Sequence, residues 1–556
     1  MRNRSTAPLL FLSFLALMFP ILPAFGETPF RFAPQNPAFL EWQAARETET
    51  LSAQTEGEHG KGYVPSPVNL RHITTLSETA LRLRTKSLPA SYDLRNVAGT
   101  SYVTAVRDQG AYGTCWAFAA LGSVESNLLK NGEAALDLSE RHHSWFGYTD
   151  ENTGAGTFPA FTCNAPYTPY NKGGDSWRSA ALVARGTGPV LESDDPYSGL
   201  PGAATSRAAR VRVRDVLYLP IRNGSSYTIA TTKQALMTYG ALSVAVHMAV
   251  QDPDSWNSAT NALYVASGGF DDLDHQVLVV GWDDAFPKEN FGRNIPASDG
   301  AWLIKNSWGN AWGNAGYFWL SYEDAPLNTS EVVAYVSEPV AHAATIYQYD
   351  PLGWVGQMGV PGSSTAWFAN IFTAAASEPI TEVAFYAAAP DTAYEIDFYT
   401  GVTAGDPVSG TRVAGSRTTG TLAVPGYRTV TLTRPVSLAA GQRFSVVVKL
   451  TTPGFDAPIP VEYPVADYSD KATAAAGQSF ISVTGAGGDW DDLTVIAENG
   501  NVCLKAFSET GSTTPTPTLT VTPGPGGSGG GGCVLGGETA GALLLALPLL
   551  LLFRRR

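Results

Sequence analysis

Asp108-Gln109-Gly110-Ala111-Tyr112-Gly113-Thr114-Cys115-Trp116-Ala117-Phe118 sets a cysteine at the head of an apolar periodic run, six residues after a glutamine. Phe118, Leu121, Val124, Leu128 and Leu129 recur at helical spacing and Asn131-Gly132 supplies a stop. The spacing predicts a helix with Cys115 on its first turn. Unpaired N–H groups at a helix N-terminus favour the thiolate, the nucleophilic form of a thiol that otherwise titrates near pH ~8.5. A cysteine placed there is chemistry before it is packing.

Two further segments complete a constellation. Asp274-His275-Gln276-Val277-Leu278-Val279-Val280-Gly281-Trp282 reads as a strand entered through a histidine, the candidate base. Ala301-Trp302-Leu303-Ile304-Lys305-Asn306-Ser307-Trp308-Gly309-Asn310-Ala311-Trp312-Gly313 ends another apolar strand in an asparagine that could hold the imidazole in one orientation. Cys115, His275 and Asn306 then form a nucleophile, base and orienter set.

These residues carry a family resemblance. From Leu88-Pro89-Ala90-Ser91-Tyr92-Asp93-Leu94-Arg95 to Gly316-Tyr317-Phe318-Trp319-Leu320 the chain resembles papain-type cysteine peptidases. In that family His and Asn follow the cysteine by about 130–150 residues, so modest insertions are expected between Cys115 and His275. The resemblance implies an α+β papain-like fold, a helical subdomain plus a β-barrel-like subdomain, over residues 88–340. It also implies Cys115 as nucleophile, His275 as base and then acid, and Asn306 as orienter. Gln109 would donate its side-chain amide to an oxyanion hole beside the backbone N–H of Cys115. Trp308 would shield the His275–Asn306 hydrogen bond, and Gly173-Gly174 would be the strand that a substrate backbone approaches. Most relatives pair a cysteine at the position of Tyr112 with one at the position of Asn171; both are absent here together, which reads as loss of a disulfide as a unit.

Plainer readings stand beside these. Gly173-Gly174 also fits an ordinary turn. Asp274 borders the family's substrate cleft, but also fits an exposed loop carboxylate. His142 and His143 are adjacent on an expected helix and point in different directions, with no carboxylate or cysteine at ligand spacing, so they read as solvated or packing residues. The proposed chemistry requires no metal or organic cofactor.

With 556 residues, 44% of them hydrophobic and 15% charged, the chain has the composition of several folded domains. A net charge of −14 argues against nucleic acid as a partner, because no basic patch is present to release counterions from phosphate. Met1-Arg2-Asn3-Arg4, the apolar run from Ala7 to Pro23 and Ala24-Phe25-Gly26 read as a secretory signal peptide, residues 1–26. The polar stretch 27–87 has the position of a pro-segment and carries a basic run, Arg82-Leu83-Arg84-Thr85-Lys86, suited to cleavage. In the resembling family such segments occupy the substrate cleft. The long helical inhibitor motif of the larger subfamilies is not found here, and an ordinary extension packed on the surface is the other reading.

Beyond Glu338 apolar and polar residues alternate, as in Ile380-Thr381-Glu382-Val383-Ala384-Phe385-Tyr386 and Arg443-Phe444-Ser445-Val446-Val447-Val448-Lys449-Leu450, which predicts an all-β sandwich over residues 345–508. Its opening, Tyr347-Gln348-Tyr349-Asp350-Pro351-Leu352-Gly353-Trp354, resembles the lectin-like domain that follows papain-type peptidases in some secreted bacterial and archaeal proteins. That resemblance implies a carbohydrate ligand, for which Trp354, Trp367 and Trp490 are the stacking candidates if exposed; such tryptophans are otherwise core residues. A Thr/Pro and Gly/Ser linker, 509–532, leads to Cys533 and an apolar run from about Ala540 to Phe553 before Arg554-Arg555-Arg556. That run is shorter than the roughly twenty residues that span a bilayer. Residues 533–556 resemble glycine-cysteine C-terminal sorting signals of Gram-negative-type bacteria, with Cys533 at the processing site and a sorting protease and the membrane as partners; a retained membrane helix is the simpler reading. Of four cysteines, Cys163 and Cys503 remain unassigned and could pair across the two domains.

The sequence therefore predicts a secreted, surface-displayed cysteine endopeptidase acting on proteins or peptides. The alternative is a surface adhesin whose peptidase domain serves only self-processing.

Overall fold

The Cys115–Lys130 helix begins and ends where its spacing predicts, with Asn131 as C-cap, and it is buried on every side from Cys115 to Leu128. The computed structural model to which it belongs describes residues 28–48, 59–76, 88–149, 169–200, 202–220, 223–340 and 344–509. Two shorter helices, Glu140–Phe146 and Ser176–Ala184, pack beside it, each started by a side chain that accepts a backbone N–H: Ser139 from His142 and Asp175 from Arg178. On the opposite flank lie the antiparallel strands Leu242–Val246, His275–Asp283, Ala301–Lys305 and Tyr317–Ser321. The apolar runs of the first three are covered on both faces, which is why they read as continuous rather than alternating. Helices against sheet are the α+β arrangement expected of residues 88–340.

The sheet does not stop at the end of that unit. Val332–Pro339 pairs with Val211–Leu219, and the same strand pairs through Val216 and Leu217 with Tyr427 and Gly426 of the strand Gly426–Ser437. Pro379–Ala387, Leu504–Glu509 and Ala344–Tyr347 complete a 13-stranded sheet that runs through both halves of the chain. Gly426 is required at the joint: its φ is +129° and a Cβ would collide with the Val216 carbonyl. A second, seven-stranded sheet includes Thr365–Thr373, Arg443–Thr451 and Thr392–Thr400. Phe368, Phe398 and Val446 from it meet Val383, Phe385 and Leu504 in a separate core, forming the predicted all-β sandwich.

The N-terminal residues touch both halves. Arg31–Phe32 adds an antiparallel edge strand to Gly356–Gly359 of the sandwich. The helix Pro37–Thr48 opens with proline at its first position and buries Phe39 against Val355, Val465 and Tyr468. Val68, Leu70, Ile73 and Leu76 then enter the main core. His72 stacks on Phe455 at 3.9 Å.

Trp354 is 2% exposed and meets Trp177 edge to face at 4.9 Å, so it is a core residue between the two halves and no sugar platform. Trp367 is half-buried, with the Lys449 ammonium 5.2 Å from its ring. Trp490 is half-buried against Ile371, Val402 and Phe480. Cys503 is buried and forms no disulfide among the described residues. Residues 1–26, Cys163, the basic run Arg82–Lys86 and the tail with Cys533 lie outside the described residues. Among the described residues no helix is long and apolar enough to cross a membrane.

Candidate active site

Cys115 heads its helix with Thr114 as N-cap, and its side chain is fully buried. Its thiol faces backbone N–H groups of Gly62, Trp116 and Gln276, yet burial outweighs them and pushes the thiol up to about 12. The sequence expectation that the helix terminus would favour the thiolate is thus reversed while the site is covered. His275, the first residue of its strand, has its Nε2 2.9 Å from Asn306 Oδ1. Its Nδ1 is buried without a hydrogen-bond partner. Burial lowers the imidazole to about 4, against the raising effect of Asn306. Asn306 Oδ1 also accepts from the Ser307 N–H at 2.8 Å, which fixes the carboxamide rotamer.

Gln109 is held by residue Ser307, which motif reading passed over. The Ser307 hydroxyl donates to Gln109 Oε1 at 2.6 Å, and the Gln109 N–H donates to the Ser307 carbonyl at 2.8 Å. Tyr197 adds a hydroxyl to the Gln109 carbonyl at 3.0 Å. The amide Nε2 of Gln109 is thereby aimed at two carbonyls, Tyr112 at 2.7 Å and Gly60 at 2.8 Å. The Trp308 ring lies 4.9 Å from that of His275, tilted by 41°.

Residues His59 to Val64 run across this site. His59 stacks on Trp308 at 4.9 Å. Gly62 accepts from the Gly174 N–H at 2.8 Å, and the Val64 N–H donates to the Gly174 carbonyl at 3.0 Å, in a parallel bridge. Gly173-Gly174 is therefore a backbone edge bridged to the Gly62–Val64 segment of the same chain, not an ordinary turn. A Cβ on Gly174 would strike the Trp116 indole, so glycine is needed for the approach. The Tyr63 N–H donates to the Asp274 carbonyl at 3.1 Å. Lys61 reaches Asp274 Oδ2 at 2.8 Å and the Met248 carbonyl at 3.1 Å. His247 Nδ1 is 3.0 Å from the same Asp274 oxygen. Asp274 is thus a partly buried, paired carboxylate at the rim, held below the usual carboxylate range by His247 and Lys61 against the opposing effect of burial. Nothing in the local sequence signals His247 or Lys61 as its partners.

Tyr112 meets Tyr170, next to Asn171, edge to face at 6.0 Å, so a ring contact joins the two segments that lack the disulfide. His142 and His143 are buried packing residues. His143 Nε2 is 3.0 Å from Ser179 Oγ and its ring lies against Trp116. Among the described residues no group of three or more His, Cys, Asp or Glu is placed to hold a metal ion.

Residues 88–340 match the family model for papain family cysteine proteases, and residues 346–508 that for a lectin-like domain. A viral cathepsin of Heliothis zea nuclear polyhedrosis virus is 28% identical over 41% of this chain and 52% of its own length. Cathepsin L of Sarcophaga peregrina is 27% identical over 42% of this chain and 58% of its own length. The chain thus spans little more than half of the curated relatives it matches. The crystal structure of the cysteine protease and lectin-like domains of Cwp84, a surface layer associated protein of Clostridium difficile, superposes with a TM-score of 0.68 at 23% identity, covering 87% of this chain and 98% of that one. Clostridial Cwp84 after propeptide cleavage gives 0.61 at 24% identity, covering 76% and 99%. The chain therefore carries a papain-like cysteine protease domain followed by a lectin-like all-β domain.

Proposed function

We propose that this chain is a secreted, surface-displayed cysteine endopeptidase made as a precursor, with residues 27–87 as a pro-segment that covers its own cleft. The reading is supported by three buried contacts: the Cys115 thiol faces the Gly62 and Gln276 N–H groups, His275 is bound to Asn306, and Gly60 offers its carbonyl to the Gln109 amide 2.8 Å away. A carbonyl held there is an analogue of a scissile one, and an amide donor at that distance suits the oxyanion that develops in acyl transfer.

In the uncovered enzyme His275 takes the thiol proton and the Cys115 thiolate attacks the peptide carbonyl carbon. Gln109 Nε2 and a backbone N–H stabilise the oxyanion. The C–N bond breaks as His275 returns the proton to the leaving amine, and water, deprotonated by His275, hydrolyses the thioester. Asn306 keeps the imidazole in the tautomer and orientation this sequence needs. The lectin-like domain would bind carbohydrate, and residues 533–556 with Cys533 would sort the protein to the surface. Cwp84 is described as surface layer associated, which agrees with display there.

The test is hydrolysis of a denatured protein by the matured wild type and by Cys115→Ala under reducing conditions. Thiol-dependent cleavage by the wild type alone is expected. Equal cleavage by both would remove Cys115 from the mechanism, and processing of its own N-terminus without cleavage of added protein would favour the adhesin.

A further inference from the structure

We propose that Tyr468, a residue of the lectin-like domain, positions the substrate-binding backbone of the peptidase by clamping Asp175, the residue that follows Gly173-Gly174. The proposal rests on the peptidase reading and adds to it a contribution from the second domain.

The clamp is a closed circuit of four side chains. The Tyr468 hydroxyl lies 2.8 and 3.0 Å from the two carboxylate oxygens of Asp175. Asp175 in turn caps the Ser176–Ala184 helix by accepting the Arg178 N–H at 2.7 Å. The Arg178 guanidinium lies between two rings, 4.6 Å from the centre of Tyr468 and 4.4 Å from that of Tyr148. The Tyr148 hydroxyl donates to the Gly173 carbonyl at 2.8 Å. All four side chains are buried, so each interaction acts in a medium of low dielectric and none is exchanged freely for water.

The circuit grips the glycine pair from both ends. Gly173 is held at its carbonyl by Tyr148, and Gly174 is followed at once by the clamped Asp175. Two adjacent glycines are the most flexible dipeptide a chain can offer, and Gly173 sits at φ +76°. Yet Gly174 presents its N–H and C=O in fixed directions, to Gly62 and Val64. Ordering that edge before a ligand arrives removes an entropic cost from binding. Tyr468 is the part of this circuit that comes from outside the peptidase domain, and its ring is covered on another side by Phe39 at 5.8 Å.

The place of the edge relative to the reacting centre supplies a test. Gly62, which faces the Cys115 thiol, accepts from the Gly174 N–H, and Val64, two residues along, donates to the Gly174 carbonyl. A substrate must therefore extend at least one residue beyond the one at the thiol to use both bonds of the edge. The full chain is cut by trypsin in its basic run, the trypsin is inhibited, and two amides of one fluorogenic amine are compared, an acylated dipeptide and an acylated single residue. Tyr468→Phe is expected to raise KM for the dipeptide about five- to tenfold, the loss of one hydrogen bond to a charged group, with kcat within about twofold and the short amide unchanged. Asp175→Asn, which keeps the helix cap, is expected to give the same split. A change equal for both substrates, or none for either, would overturn the proposal, as would loss of folded protein in both variants, which would make the contact structural only. Wild-type failure on both substrates would instead overturn the peptidase reading itself.

Discussion

At Cys115 two effects of opposite sign meet. Its place at a helix N-terminus favours the thiolate, while full burial under Gly60–Val64 favours the neutral thiol, and burial wins. His275 is shifted in the complementary direction, to about 4, so at neutral pH the covered pair holds a thiol and an uncharged imidazole. If residues 27–87 are removed as proposed, water returns to both groups and both shifts are expected to shrink. Lys61 is the charged tether of the cover, paired with Asp274 beside His247. Lys61→Glu would set two carboxylates against each other and loosen it. At pH 7.5 the intact wild-type chain should react with iodoacetamide at Cys115 at least about tenfold more slowly than Lys61→Glu or the trypsin-cut chain, because only the thiolate reacts. The wild-type rate should climb with pH through the range above 9, where its thiolate fraction grows. Mass spectrometry of the alkylated peptide reads both; equal rates at pH 7.5 would show that Lys61 does not secure the cover.

Among the elements, those that carry chemistry were legible locally and those that join domains were not. The helix from Cys115, the strands entered at His275 and ended before Asn306, and the sandwich strands around Ile380, Glu395 and Arg443 each announce themselves through their own periodicity and turn residues. The pairing of Val216 with Tyr427 depends on residues far apart in sequence, and no local pattern encodes it. The edge strand Arg31–Phe32 is two residues long, below any periodic signal. For Trp354 both readings, sugar platform or core residue, stay open in the sequence, because a tryptophan beside turn residues reads the same whether it faces water or Trp177. Gly426 records the hidden joint in one residue. Gly426→Ala should destabilise the chain by about 2 kcal/mol or more, since a left-handed φ and a collision with the Val216 carbonyl must both be accommodated. Gly441→Ala is the control, also at positive φ but with nothing near its Cβ position. Urea midpoints for the two variants should separate by the cost of the collision, and coincident midpoints would show that the sheet yields at the joint.

For the molecule as a whole, the shared sheet and the shared core around Trp177, Tyr218, Trp354 and Tyr386 imply that the two domains lose structure together. Lys505 tests this, because it lies at the joint. Its ammonium is 2.9 Å from Asp350 with both side chains almost wholly buried, and it also donates to Gln348 Oε1 at 2.8 Å. Gln348 Nε2 crosses to the Arg185 carbonyl of the peptidase at 3.1 Å, and Arg185 returns a hydrogen bond to the Pro351 carbonyl at 3.2 Å. Lys505→Met would leave Asp350 buried without its counter-charge, at a cost of about 3–5 kcal/mol where that carboxylate must stay ionised. Burial already raises the affinity of Asp350 for a proton, opposed by Lys505. Without Lys505 the folded-state value rises further above the unfolded one, so the variant keeps its stability below the unfolded value near pH ~4 and loses it as pH rises through the folded value. The gap in Tm between wild type and Lys505→Met should therefore be large at pH 8 and narrower at pH 5. Calorimetry should show one transition for both domains at each pH. A gap that does not change with pH would mean that Asp350 is not left ionised and unpaired, and a second transition at unchanged Tm would mean that the continuous sheet does not couple the domains.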